Sequence, residues 1–198
     1  MSESRDRGSG GGAQGPPWAV LAKETAYRGH WIGLEHWSVR RPDGSVLRDY
    51  EVLDYYRHAV AIVPVGDDGR VLLIDHYRVI TGTRGWEVPA GGIEAGESVE
   101  DAAARELYEE TGHRAAAWRR LGAYHPSNGS SNQVFHVMLA RGLARHADPL
   151  DVNETLGLRW FTPGELRRLV VENAIPDGLT LTSLGWVLVA GLVGEKGA

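Results

Sequence analysis

The chain has 198 residues, 42% of them hydrophobic and 24% charged, with a formal net charge of -5 at pH 7. That length and apolar share suit one globular domain with at most a small appendage, and a mildly acidic chain has no broad positive field with which to attract nucleic acid. With no cysteine, disulfides, thiolate metal sites and a cysteine nucleophile are excluded.

Residues 1–17 are rich in Gly, Ser and Pro and bury too little apolar surface to offset ordering entropy, so a disordered tail is expected there. From Trp18 to Arg57 the pattern is strand-like. Trp31 to Glu35 and Trp37 to Arg40 lead into a turn at Pro42-Asp43-Gly44-Ser45, and a further alternating segment follows from Val46 to Leu53. Residues 18–57 therefore read as a small antiparallel sheet, and 58–198 as the main domain. His58 to Val65 has the composition of a buried strand. Gly66-Asp67-Asp68-Gly69 is a hairpin turn, and Val71 to Asp75 its return strand. Val134 to Ala140 and Leu156 to Phe161 are further strands. Ser98 with Asp101 opens a helix over Val99–Glu110, which Gly112 ends. Thr162-Pro163-Gly164-Glu165 opens a second helix reaching about Asn173, and a last helix is expected over Leu181–Leu192. Such an order predicts an α+β fold with a mixed sheet covered by helices. The N-terminus has no signal-peptide-like apolar stretch, and the run near Leu184 to Val193 is too short to span a bilayer. A cytoplasmic protein without membrane or nucleic-acid partners is expected.

Chemistry is concentrated in the helix at Val99–Glu110. Positions 99, 102, 103, 106, 109 and 110 share one stripe at helical spacing. The stripe begins as Val99, Ala102 and Ala103 and ends as Glu106, Glu109 and Glu110. Carboxylates three and four residues apart repel, and these sit near the negative end of the helix dipole. A solvated acidic face is a poor account of them, because they continue the apolar stripe that faces the protein. A hard divalent cation, which takes oxygen ligands, is the better account. The preceding loop, Trp86-Glu87-Val88-Pro89-Ala90-Gly91-Gly92, turns tightly enough to aim a backbone carbonyl and Glu97 at the stripe. The eight histidines form no HxxxH or HxH pair.

Gly91, five residues, Glu97, seven residues, Arg105-Glu106-Leu107, one residue, Glu109-Glu110, one residue and Gly112 reproduce the Nudix box. Only the closing aliphatic slot departs, occupied by His113. Tyr27, Pro42-Asp43-Gly44, His76-Tyr77-Arg78, WEVPAGG, Asn153-Glu154 and Ile175-Pro176-Asp177 extend the resemblance to the ADP-ribose pyrophosphatase-like branch of that family. The resemblance implies a Nudix-type α/β/α sandwich, a homodimer in which the N-terminal sheet takes part, and a Mg²⁺ cofactor, with Mn²⁺ as a substitute. It implies hydrolysis of the pyrophosphate of a small nucleoside diphosphate derivative, ADP-ribose to AMP and ribose 5-phosphate before others. The alternatives are a GDP- or UDP-sugar hydrolase and a non-catalytic ADP-ribose sensor.

Residue by residue, the resemblance implies metal ligands at Glu106, Glu109, Glu110, Glu154 and the Ala90 carbonyl. Catalytic roles fall to Glu97, Arg105, Glu109 and Glu154, with Arg105 holding Glu97 or a neighbouring carboxylate and Glu154 binding metal or acting as base. Substrate contacts are implied for Arg78, Glu87, Gln133 and Trp31. Gln133 stands where this branch usually has an acid, a departure shared with some sugar-nucleotide hydrolases.

Overall fold

A computed structural model describes residues 17–150 and 155–194. Two compact units divide at Asp54/Tyr55. The first is a three-stranded sheet of order β1–β2–β3, with β1 at Ala19–Arg28, β2 at Ile32–Arg40 and β3 at Val46–Tyr55. β1 and β2 run antiparallel, and β1 carries an extra residue at Leu21 and again at Ala26. The sequence suggested two short pieces where β2 is one strand. Its break at His36 is only polar composition, which a half-exposed strand tolerates. The turn into β3 closes through Arg41 N–H to the Ser45 carbonyl at 2.8 Å, with the Asp43 carboxylate accepting from Ser45.

The second unit holds two sheets. In one, of order β7–β4–β9–β8, β4 (Ala59–Pro64) and β9 (Phe135–Arg145) pair in parallel, while β7 (Ala90–Gly92) and β8 (His113–Tyr124) pair antiparallel at the edges. In the other, of order β10–β5–β6, the strands Gly157–Phe161, Val71–Arg78 and Thr83–Glu87 are all antiparallel. The nearly unbroken apolar run of β4 follows from its central place, buried on both faces. Val60 and Ile62 point to one side, where Met138 and Ala140 meet Ala102, Ala103 and Leu107 of α1 (Val99–Thr111). Ala61 and Val63 point to the other, where Val137 and Leu139 pack with Leu166 of α2 (Pro163–Val171) and Leu184 and Val187 of α3 (Gly178–Val189). Helices thus cover both faces of a mixed sheet, an α/β/α sandwich of α+β class.

Several boundaries differ from expectation. β8 was not anticipated, because Ala115, Ala116 and Ala117 with three arginines lack the β-branched alternation that marks strands. β6 and β7 lie in the Gly-rich stretch expected to be loop. α3 starts three residues earlier, since Asp177 caps it by accepting from Thr180 N–H, and it ends at Val189. α2 stops at Val171, and Asn173 takes a positive φ of 54°. No helix among the described residues is long and apolar enough to cross a membrane.

Candidate active site

The main-chain pattern of β7 arranges the site. Ile62 N–H donates to the Pro89 carbonyl and Ile93 N–H to the His58 carbonyl, which fixes the hydrogen-bonded pairs of the β4–β7 ladder. Ala90 and Gly92 alternate with them and turn their polar groups away from β4. Both meet α1. Ala90 N–H donates to Glu110 Oε2 at 2.9 Å, and the Gly92 carbonyl accepts from Arg105 Nη2 at 2.9 Å. The Ala90 carbonyl shares the outward side. Between them, Gly91 lies so close to Glu106 that an added Cβ would fall 2.0 Å from Oε1. Only glycine leaves that carboxylate its place.

Arg105 organises the acidic groups. Its Nε and Nη2 donate to Glu97 at 3.0 Å each, and Nη1 reaches Glu106 at 2.7 Å and Glu109 at 3.3 Å. The Glu97 bond, then those to Glu106, raise the guanidinium pKa against the opposing effect of burial. In return Arg105, followed by the Glu94 N–H, holds Glu97 below the usual carboxylate range. Glu110 is 4% exposed. The structure therefore gathers Ala90, Glu97, Arg105, Glu106, Glu109 and Glu110 in one cluster.

Arg78 stands beside it. Its Nε and Nη2 grip Glu87 at 3.0 Å and 2.6 Å, and Glu87 is 1% exposed. Burial works against the charged Arg78, but Glu87, with Asp177 and Glu110 behind it, raises its pKa. Nη1 is not engaged by Glu87. Arg78 lines a cavity of about 550 Å³ together with His76, Tyr77, Glu87, Pro176 and Asp177. Glu87 is thus placed behind Arg78, as its orienting partner, more than at an open surface.

Three further residues were expected at the site: Gln133, Trp31 and Glu154. The Gln133 side chain makes no hydrogen bond with the cluster, and its carbonyl pairs with His125 Nδ1 at 3.0 Å. Trp31 belongs to the first unit, 68% exposed and edge-on to His30. Glu154 lies outside the described residues. Sequence reasoning missed Thr180, which is fully buried and accepts from Val88 N–H at 3.0 Å. The cap spacing Asp177-x-x-Thr180 was the available signal.

No three acidic or imidazole side chains among the described residues stand in ligand geometry. Arg105 Nη1 lies between Glu106 and Glu109, bonded to both. The donor set nevertheless fits a hard cation. Three carboxyl groups share one guanidinium, Glu110 lies beside them on the Ala90 amide, and every donor is oxygen.

A family model described as "NUDIX domain" matches residues 55–179. The ADP-ribose pyrophosphatase of Mycobacterium tuberculosis (strain ATCC 25618 / H37Rv) is 32% identical over 168 residues, covering 83% of this chain and 80% of that protein. The CMP-5'-(N-acetyl-N-hydroxy-3-aminopropyl)phosphonate hydrolase of Streptomyces rubellomurinus (strain ATCC 31215) is 33% identical over 90% of this chain and 85% of its own length. A crystal structure titled as an ADP compounds hydrolase superposes with a TM-score of 0.77 at 26% identity, over 89% of this chain and 94% of that one.

Proposed function

This chain belongs to the NUDIX family of hydrolases acting on nucleoside diphosphate derivatives, and from that premise we propose that its substrate is ADP-ribose, cleaved with Mg²⁺ into AMP and ribose 5-phosphate. The observation that carries the reading is the pairing of two features on one short loop. Ala90, at one end, faces the carboxylates of α1, and Glu87, at the other, aims Arg78. A diphosphate laid along that loop meets a cation-binding cluster and a guanidinium at the same time. Similarity to a pyrophosphatase of ADP-ribose and to an ADP compounds hydrolase supports adenine over other bases.

The chemistry that a divalent cation would supply at the cluster is positive charge against the charge that grows on the phosphoryl oxygens, and a more acidic attacking water. Glu106, Glu109, Glu110 and the Ala90 carbonyl would hold the cation. Arg105 fixes Glu97, and its bonds to Glu106 and Glu109 would have to give way for those two carboxylates to hold a cation. Arg78, steered by the buried Glu87, uses Nη1 on a phosphate oxygen, and its planar fork keeps that donor from wandering. A carboxylate, Glu109 or Glu154, accepts the proton of the attacking water.

A second reading, hydrolysis of a different nucleotide conjugate, is favoured by Gln133 and by similarity to a hydrolase of a CMP-linked phosphonate. One assay separates the two: ADP-ribose, GDP-mannose, UDP-glucose and a CMP-phosphonate are incubated with Mg²⁺ and the products resolved by chromatography. The proposal expects ADP-ribose to be cleaved fastest, to AMP and ribose 5-phosphate, with no turnover in excess EDTA. Preference for another conjugate overturns the substrate, and full turnover in EDTA overturns the metal.

A further inference from the structure

The loop that presents the site is held from a third side. Val88 N–H, the Pro89 carbonyl and Ala90 N–H follow one another, and each is bonded to a different element: α3, β4 and α1. The α3 bond is made by Thr180. Its Oγ1 accepts from Val88 N–H at 3.0 Å and donates to Asp177 Oδ2 at 2.6 Å, while Thr180 N–H reaches the same Oδ2 at 2.7 Å. Thr180 is fully buried and Val88 is 1% exposed, so water offers Val88 N–H no substitute.

We propose that Thr180 is a positioning residue for the hydrolytic reaction, setting where residues 87–90 present Ala90 to Glu110 and Glu87 to Arg78. The inference rests on the reading that Glu110 and Arg78 serve the hydrolytic site. The geometry requires a hydroxyl and no other group. One proton goes to the Asp177 carboxylate, and a lone pair takes the Val88 amide. Donation to a carboxylate polarises the hydroxyl and makes it the stronger acceptor. A Val side chain fills the same space but leaves a buried amide without a partner, the costly way to lose a hydrogen bond. The loop then relaxes by moving Val88, and through Pro89 that motion reaches Ala90 two residues on. Glu87, the residue before Val88, moves with it.

The test compares full-length Thr180→Val and Thr180→Ser with wild type. Amide exchange of Val88 and Ala90 is followed by NMR without metal, and kcat and KM are measured on whichever nucleotide the wild type cleaves. In Thr180→Val both amides should exchange about tenfold faster or more, the scale of one lost buried bond. Its kcat should fall about tenfold while KM changes by less than about threefold, as for an interaction that matters in the transition state. Thr180→Ser should restore both. A Thr180→Val protein that melts earlier but keeps wild-type kcat and Ala90 exchange overturns the proposal, as does failure of Thr180→Ser to rescue. If Thr180→Val does not fold, Asp177→Asn, which weakens the polarising acceptor, should speed Val88 exchange, and unchanged exchange overturns the proposal. If the wild type cleaves no nucleotide, the functional reading fails, and the exchange measurements still decide the role of Thr180.

Discussion

Arg78 separates two kinds of work at the scale of single residues. With Nε and Nη2 fixed on Glu87, it is the group we propose to grip phosphate, which every substrate in this class carries. Arg78→Ala should lower kcat/KM for all active nucleotides by a similar factor, about 1.5–3 kcal/mol for a charge-assisted hydrogen bond. Glu87→Gln should act in the same direction by less, since the guanidinium stays but loses its guide. Base and sugar must be read elsewhere, so Gln133→Glu should change the ranking of ADP-ribose, GDP-mannose and UDP-glucose that Arg78→Ala preserves. Measured kcat/KM values for the three nucleotides decide it. A ranking reordered by Arg78→Ala and untouched by Gln133→Glu sinks this division. The chain positions of the site carboxylates were legible in the sequence, because helical spacing alone puts Glu106, Glu109 and Glu110 on the stripe of Ala102 and Ala103. The grip of Arg105 on Glu97, Glu106, Glu109 and the Gly92 carbonyl at once was not. It depends on how far β7 stands from α1, a packing distance that no local pattern encodes.

At the scale of elements, α1 announced itself at both ends. Ser98 accepts from Asp101 N–H, and Gly112 closes the helix at a φ of 68°. β8 did not, because its Ala and Arg residues become a strand only by pairing with β9. His113 sits where the two meet. It is 8% exposed, its Nδ1 donates to the Thr111 carbonyl at 2.8 Å, and Trp160 stands edge-on to its ring. Burial, opposed by the Thr111 bond and reinforced by Arg145, lowers its pKa below the ordinary 6.5. The folded state therefore holds fewer protons here than the unfolded one. Stability from the neutral ring is complete above pH 6.5 and is lost as pH falls below that value towards the folded pKa. His113→Leu, which places an aliphatic side chain in this slot, should flatten that part of the profile. Melting temperatures at a series of pH values between about 5 and 8 check this. A variant with the same slope as wild type assigns the acid sensitivity to other groups.

For the whole molecule, the first unit is the open matter. Its sheet leaves Tyr27 61% and Trp31 68% exposed, with Trp18, Val20 and Leu21 also uncovered, and apolar surface of that extent suits a partner. We propose that a second copy of the chain covers it, forming a homodimer that also completes nucleotide binding. Removing residues 1–17 should leave size and turnover unchanged. Removing residues through Asp54 should take the mass found by light scattering from that of a dimer to that of one truncated chain, and abolish turnover. A fully active monomer lacking the first unit refutes both parts.

The ladder between β4 and β7 has a consequence for how this site can change over time. The atoms that meet Glu110 and Arg105 from β7 are the Ala90 amide and the Gly92 carbonyl, and every amino acid but proline carries both groups. Exchange of one residue type for another at these two positions, proline at 90 aside, cannot delete them. A change of chain length can. Slipping the pairing by one residue would hand Ala90 and Gly92 to β4 and turn Gly91 outward in their place. Positions 90 and 92 should therefore drift in composition far more readily than the segment gains or loses a residue, whereas any side chain at 91 would displace the Glu106 carboxylate.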